Sequence, residues 1–238
     1  MSSKLVIGLI GALWLLPASA YWTGQDLTEA EWATWSDFCK ASYLSADWSH
    51  GSRFAGRLSP ETRVKFIEGN TIPGPHHFCI ALVAMDRAKS KVGEQFKQLM
   101  IKAVSEINYC HKQMNSATPK YAYVSAYYAK ALYGAGEKAQ AFRVWDEAIT
   151  ISPAEREAYL LKTQALISEK RFKEALDTLL ALDKAKEQEW ADVEYFLGYV
   201  NYQLKRYGDA ARHLDKAVAL GYPHTSLRDK ARELAAKE

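Results

Sequence analysis

Three short passages of this chain repeat one another, and that constrains its fold more than any other feature. Gly136-Glu137-Lys138-Ala139-Gln140-Ala141-Phe142, Lys170-Arg171-Phe172-Lys173-Glu174-Ala175-Leu176 and Lys205-Arg206-Tyr207-Gly208-Asp209-Ala210-Ala211 align on Ala141, Ala175 and Ala210, spaced 34 and 35 residues apart. A large apolar residue follows four positions later (Trp145, Leu179, Leu214), and a small or apolar one three after that (Ala148, Leu182, Ala217). Four and three are the steps that place residues on one face of a helix. A unit of this length that holds two helices cannot bury its apolar face alone. Stacking its copies produces a continuous core, and the stack needs a cap at each end.

On these residues the chain resembles tetratricopeptide-repeat proteins over 119–223. Leu197-Gly198 stands at the family's Leu-Gly positions within Tyr195-Phe196-Leu197-Gly198-Tyr199-Val200-Asn201-Tyr202, and Ser152-Pro153 stands where the family prefers proline. Lys162-Thr163 replaces Leu-Gly in the second repeat, and Glu187 replaces its terminal proline. The resemblance implies an all-α, right-handed solenoid of about three helix pairs. The local text also predicts that Ser152 caps the next helix, with Pro153 at its first position and Glu155 completing a capping box. Thr225 to Ala236 reads as a C-terminal capping helix within 224–238, with Leu227, Ala231 and Leu234 on one side and charges on the other.

Residues 1–20 carry the layout of a secretory signal peptide: Lys4, an apolar run from Leu5 to Leu16, Pro17, then Ala18-Ser19-Ala20. The run is shorter than the ~20 residues a membrane helix needs, so the expectation is export, the periplasm first, with no transmembrane helix after cleavage. An oxidising compartment changes how Cys39, Cys79 and Cys110 are read. Cys110 falls on an apolar helical stripe with Ala103, Ile107 and Met114, as a small buried hydrophobe would. Cys39 with Cys79 is therefore the favoured bridge, and Cys79 with Cys110 the competing one.

The stretch 21–118 reads as an irregular helical cap with room for one degenerate repeat. Thr28-Glu29-Ala30-Glu31 opens a helix whose one face carries Trp32, Trp35, Phe38 and Cys39. Ser45 to Arg57 reads as a loop, Ser59-Pro60-Glu61 as the start of a short helix through Ile67, and His76–Ala88 with Glu94–Met114 as a helical pair. Phe38-Cys39-Lys40-Ala41, His76-His77-Phe78-Cys79 and Glu106-Ile107-Asn108-Tyr109 are similar to a group of exported proteobacterial repeat proteins. That similarity implies location and architecture but no activity.

The chemistry of the chain is sparse. Lys and Arg number 31 against 28 Asp and Glu, a net charge of +3, which offers no basic field for nucleic acid. There is no hydrolase elbow, P-loop, dinucleotide fingerprint, HExxH or Cys-x-x-Cys-His. The expectation is accordingly no enzyme and no cofactor. His76-His77 with Cys79 is the one cluster of metal-ligating atoms, with His111 or Cys110 to complete it. It supports an alternative reading as a metal- or redox-handling factor, in which His77 and Cys79 are the ligands. Adjacent helical histidines point about 100° apart, which weighs against it.

The resemblance also implies a concave groove lined by first-helix residues: Tyr123, Lys130 and Tyr133, then Leu160, Gln164 and Ile167, then Tyr195, Tyr199 and Tyr202. Tyrosine combines a rigid apolar ring with a polar tip, which suits a groove for a peptide or helix. Ala126 and Lys130 do not reproduce the paired Lys and Asn with which some members hold a terminal carboxylate. The expected role is a non-catalytic adaptor for a protein or peptide partner in assembling or stabilising a cell-envelope complex, such as a pilus, a secretion system or a polysaccharide-export system. Self-association as a structural homo-oligomer is a further possibility compatible with the same residues.

Overall fold

The repeat period appears in three dimensions as stacked helical hairpins. The computed structural model describes residues 27–45, 52–185 and 188–237, so the signal segment 1–20 and Glu187 lie outside the described residues. Among the described residues there are twelve α-helices and no strand: α1 (Glu29–Thr34), α2 (Asp37–Leu44), α3 (Pro60–Ile67), α4 (Pro75–Ala88), α5 (Gly93–His111), α6 (Tyr121–Ala135), α7 (Lys138–Ile151), α8 (Arg156–Ser168), α9 (Phe172–Ala185), α10 (Ala191–Gln203), α11 (Tyr207–Ala219) and α12 (Ser226–Ala235). The fold is an all-α helical-repeat stack. The pairs α6–α7, α8–α9 and α10–α11 carry the repeat, and α12 packs on α11 and α10 at the end. The pair α4–α5 is joined to this stack through α5 and α6.

The recurring residues are the ones that allow helices to approach. Ala141, Ala175 and Ala210 are each fully buried, and Trp145, Leu179 and Leu214 are exposed by 1% or less. Ala129, Thr163 and Gly198 occupy the matching first-helix position at the same spacing. At Gly198 a β-carbon would come within 2.5 Å of Leu214 Cγ and 3.2 Å of the Ala210 carbonyl oxygen, so only glycine fits there. Trp145 fills the equivalent layer of the first repeat, and its indole donates to the Ala126 carbonyl oxygen at 3.0 Å. At Thr163 the hydroxyl is buried without a hydrogen-bond partner.

Each first helix ends in the same turn. One or two residues past the helix the chain turns left-handed: Gly136 (φ 103°), Lys170 (φ 59°) and Lys205 (φ 60°). The amides of Glu137, Arg171 and Arg206 then donate back to the carbonyls of Leu132, Leu166 and Asn201, each at 2.9 Å. This closes a Schellman motif in all three repeats. Lysine has a β-carbon that disfavours this conformation, and glycine does not.

Two local expectations are corrected. The helix opened by Thr28 does not run to Cys39: Trp35 is extended (ψ 146°), and Ser36 restarts the chain as the cap of α2, its hydroxyl accepting from the Cys39 amide. Two capping sequences stand only eight residues apart, and the second ends what the first begins. Ser152 does not cap α8 either. It terminates α7, Pro153 falls in the turn, and Glu155 is the cap, its carboxylate accepting from the Glu157 amide at 3.4 Å.

Cys39 and Cys79 form the disulfide, with their Cα atoms 5.4 Å apart, and Cys110 is a buried free thiol. The Cys79–Cys110 alternative is thereby excluded. Beyond the bridge, the first turns are held by a small aromatic core in which Trp32 stacks on Phe54 at 4.6 Å, with Tyr43 edge-on to both.

Candidate groove and its neighbouring side chains

The residues singled out for the groove divide into three places. Lys130 and Tyr133 of α6 and Gln164 of α8 come together around one cavity of about 220 Å³. Its apolar wall is Met85, Phe96, Met100, Trp145 and Leu161, supplied by α4, α5, α7 and α8. Tyr133 is fixed there: its hydroxyl lies 2.7 Å from Ser168 Oγ and 3.2 Å from a Glu169 carboxylate oxygen, which also binds Lys138 at 2.9 Å. A second cavity of about 410 Å³ lies between α1, α4 and α6. Glu31, Thr34, Asp86 and Tyr127 give it polar walls, and Met85, Lys89 and Lys130 are common to both cavities.

Tyr123, one turn before Tyr127, sits elsewhere. Its ring packs against Phe78 at 5.7 Å and Tyr127 at 5.1 Å, beside a third cavity of about 210 Å³ bordered by Phe38, Cys39 and Ile72. Burial, reinforced by Tyr127, pushes its phenol well above the ordinary tyrosine value. This ring belongs to the packing beneath the disulfide.

Of the second-repeat triple only Gln164 reaches the cavity, Leu160 and Ile167 turning away from it. Leu160 is only 7% exposed and packs in the core shared by α8, α9 and α10; Leu161 lines the cavity instead. Ile167 packs against that same core. Helix α8 carries apolar residues on several faces (Ala158 to Leu161, then Ala165 to Ile167), so alternation could not choose between neighbours. The third-repeat tyrosines form an aromatic strip at the far end. Tyr195 stacks on Tyr222 at 4.2 Å and faces Tyr199 at 6.5 Å, while Tyr202 meets Tyr207 at 5.6 Å. Tyr195 and Tyr202 pack on the α11–α12 core rather than on the α4–α6–α8 cavity.

The histidine cluster is occupied by protein contacts. Cys79 is bonded to Cys39 and has no thiol to offer a metal. His77 Nδ1 pairs with Glu106 at 2.6 Å, and its ring lies tilted against Tyr109 at 4.0 Å. His111 Nε2 meets Ser125 Oγ at 2.9 Å. The Cys110 thiol donates to the Gly74 carbonyl at 3.4 Å, and burial pushes its pKa up to about 11, so it is an inert thiol and not a nucleophile. Among the described residues no group of three or more His, Cys, Asp or Glu is placed to hold a metal ion.

Met85, Lys89, Phe96, Met100 and Leu161 were not foreseen as groove residues. Three of them lie on α4 and α5, a pair with none of the repeat text, and Lys89 directly follows α4. The one available signal was the helical pairing of this stretch immediately before the first repeat.

No known protein family matches this chain as a pattern, and no curated protein matches it. Among solved structures, the chain is similar to "MamA 41-end from Desulfovibrio magneticus RS-1", at 18% identity and a TM-score of 0.45, covering 66% of this chain and 92% of that one. It is also similar to "MamA MSR-1 C2", at 13% identity and a TM-score of 0.43, covering 68% of this chain and 97% of that one. Likenesses this distant carry no argument about function.

Proposed function

We propose that this chain is an exported, non-catalytic adaptor that binds a segment of another protein along the face formed by α4, α6 and α8, in assembling or stabilising a cell-envelope complex. The observation that carries the reading is a preformed apolar cavity, open along a face where three successive hairpins meet, with Lys130, Tyr133 and Gln164 beside it. Preformed apolar hollows with a few placed polar groups are what recognition surfaces use. The stack supplies a rigid support for them, because each hairpin is clamped by its neighbours. The apolar run at Leu5 to Leu16 supports export. Among the described residues no helix is long and apolar enough to cross a membrane.

The test is affinity capture from envelope extract with the oxidised mature chain, beside a Gln164→Trp variant. Gln164 is exposed, so tryptophan there fills the cavity from outside without disturbing the core. The adaptor reading expects a stoichiometric partner with the native chain, lost from the variant at unchanged helicity. Recovery of the bait alone would overturn it, and a partner retained by the variant would move the site. Amino-terminal sequencing of the secreted form should begin at Tyr21.

A further inference from the structure

Where the two groove cavities meet, the charges are not evenly matched. Glu31 is held by the Arg87 guanidinium at 2.5 and 2.9 Å, and Asp86 by Lys89 at 2.7 Å. Lys130 stands at the junction, lining both cavities, and forms no hydrogen bond or ion pair among the described residues. It is half-buried, and burial, then the neighbouring Lys89, lower its affinity for a proton, the Asp86 carboxylate opposing them only in part. An ammonium in this setting has lost water, and the one carboxylate that acts on it, Asp86, is already paired with Lys89 and makes no ion pair with Lys130, so an arriving carboxylate would be bound with the strength of a charge-assisted hydrogen bond.

We infer that this junction recognises a partner segment carrying an apolar side chain next to an internal Asp or Glu: the apolar side chain enters the smaller cavity, and the carboxylate pairs with Lys130. This deepens the adaptor reading and rests on it. The size of the apolar cavity, about 220 Å³, lies below the roughly 300 Å³ at which pockets begin to enclose whole small molecules. It has room for one large side chain as an anchor. The larger cavity continuing from it has Thr34, Asp86 and Tyr127 in its walls, groups that suit a passing peptide backbone and not an acyl tail. Specificity follows from the mismatch: a neutral residue at the carboxylate position leaves Lys130 unpaired, and a basic one repels it.

The experiment selects binders to the oxidised chain from displayed random segments flanked on both sides by Gly-Ser linkers, so that no terminal carboxylate enters the groove. The expected result is enrichment of Leu, Met, Phe or Trp close to Asp or Glu. A peptide made to that consensus and blocked at both ends should lose about tenfold in affinity when its acid is changed to the amide. With Lys130→Met, which keeps the aliphatic stem, the acid and amide peptides should bind equally. Enrichment without acidic residues, indifference to the amide, or an undiminished preference in Lys130→Met would each overturn the proposal. So would sodium decanoate occupying the cavity while no segment is enriched. The acid-to-amide comparison needs no variant protein, so a folding defect in Lys130→Met leaves the test intact. If Gln164→Trp loses the envelope partner while the acid proves irrelevant, the adaptor reading stands and the acidic anchor falls.

Discussion

From α6 to α11 the molecule is held by contacts that recur every 34 or 35 residues, whereas from Leu27 to Ala88 it is held by contacts that occur once. In the repeats a small residue on one helix faces a large one on the next, as Gly198 does Leu214. In the N-terminal region the holding contacts are singular. They include the Cys39–Cys79 bridge, the Trp32–Phe54 stack, the Arg87–Glu31 pair 56 residues apart, and the Arg53 guanidinium donating to the Leu27 carbonyl. Short helices such as α1 and α2, of 6 and 8 residues, are marginal alone and depend on such long-range ties. A repeat tolerates loss of one tie because its neighbours supply the same contact again; each of these N-terminal ties is made once among the described residues.

The sharpest way to break the comparison is to remove the bridge. Replacing Cys39 and Cys79 with alanine should destabilise the chain by about 4 kcal/mol, from the loop of 40 residues that the bridge closes. Hydrogen exchange should place the loss in α1 to α4, with α6 to α11 protected as before. Loss spread evenly along the stack would show that the two regions share one cooperative unit. Gly198→Ala tests the repeat side. Its β-carbon meets Leu214 and the Ala210 carbonyl, so it should cost roughly 1–3 kcal/mol of thermal stability, more than the helix propensity it gains.

Glu31 sharpens the contrast through pH. The Arg87 guanidinium, helped by hydrogen bonds from Thr28, holds the Glu31 carboxyl at about 2 against an ordinary value near 4.5. Because the folded value is the lower one, the stabilisation is complete above about pH 4.5 and is lost as pH falls towards 2. With both partners partly exposed, Glu31→Gln should cost on the order of 2 kcal/mol at neutral pH and only a small fraction of that at pH 2, where the folded carboxyl is half protonated. Acid titration of the two proteins by circular dichroism reads the difference. The smallest effect belongs to the turns: Lys170→Gly and Lys205→Gly should each raise stability by roughly 0.5–1 kcal/mol, relieving a left-handed lysine where the first repeat already has Gly136. Unchanged melting temperatures would mean that the lysines make compensating contacts in their turns.

Much of this architecture was readable because it rests on local chemistry. The alanines at 141, 175 and 210, the large residues four positions on and the turns between them depend on helical geometry that any residue of the right size satisfies. The capping sequences at Thr28 and Ser59 likewise act within a few residues of themselves. The candidate site was only partly readable. Lys130, Tyr133 and Gln164 were identified from their repeat positions. Leu160 was chosen where Leu161 lines the cavity, because an apolar helix such as α8 takes its rotation from the neighbours that pack on it.

The sequence by itself determined the class of fold, the length of its unit and which faces of most helices turn inward, since these follow from residue size and spacing along one helix. Only the tertiary structure decided that Cys79 joins Cys39 and leaves Cys110 buried, that α4 and α5 complete the wall of the groove, and that Lys130 ends at the junction of two cavities with no hydrogen bond or ion pair among the described residues. Each of these depends on which side chains from distant segments arrive at one place, and spacing along the chain does not encode that distance.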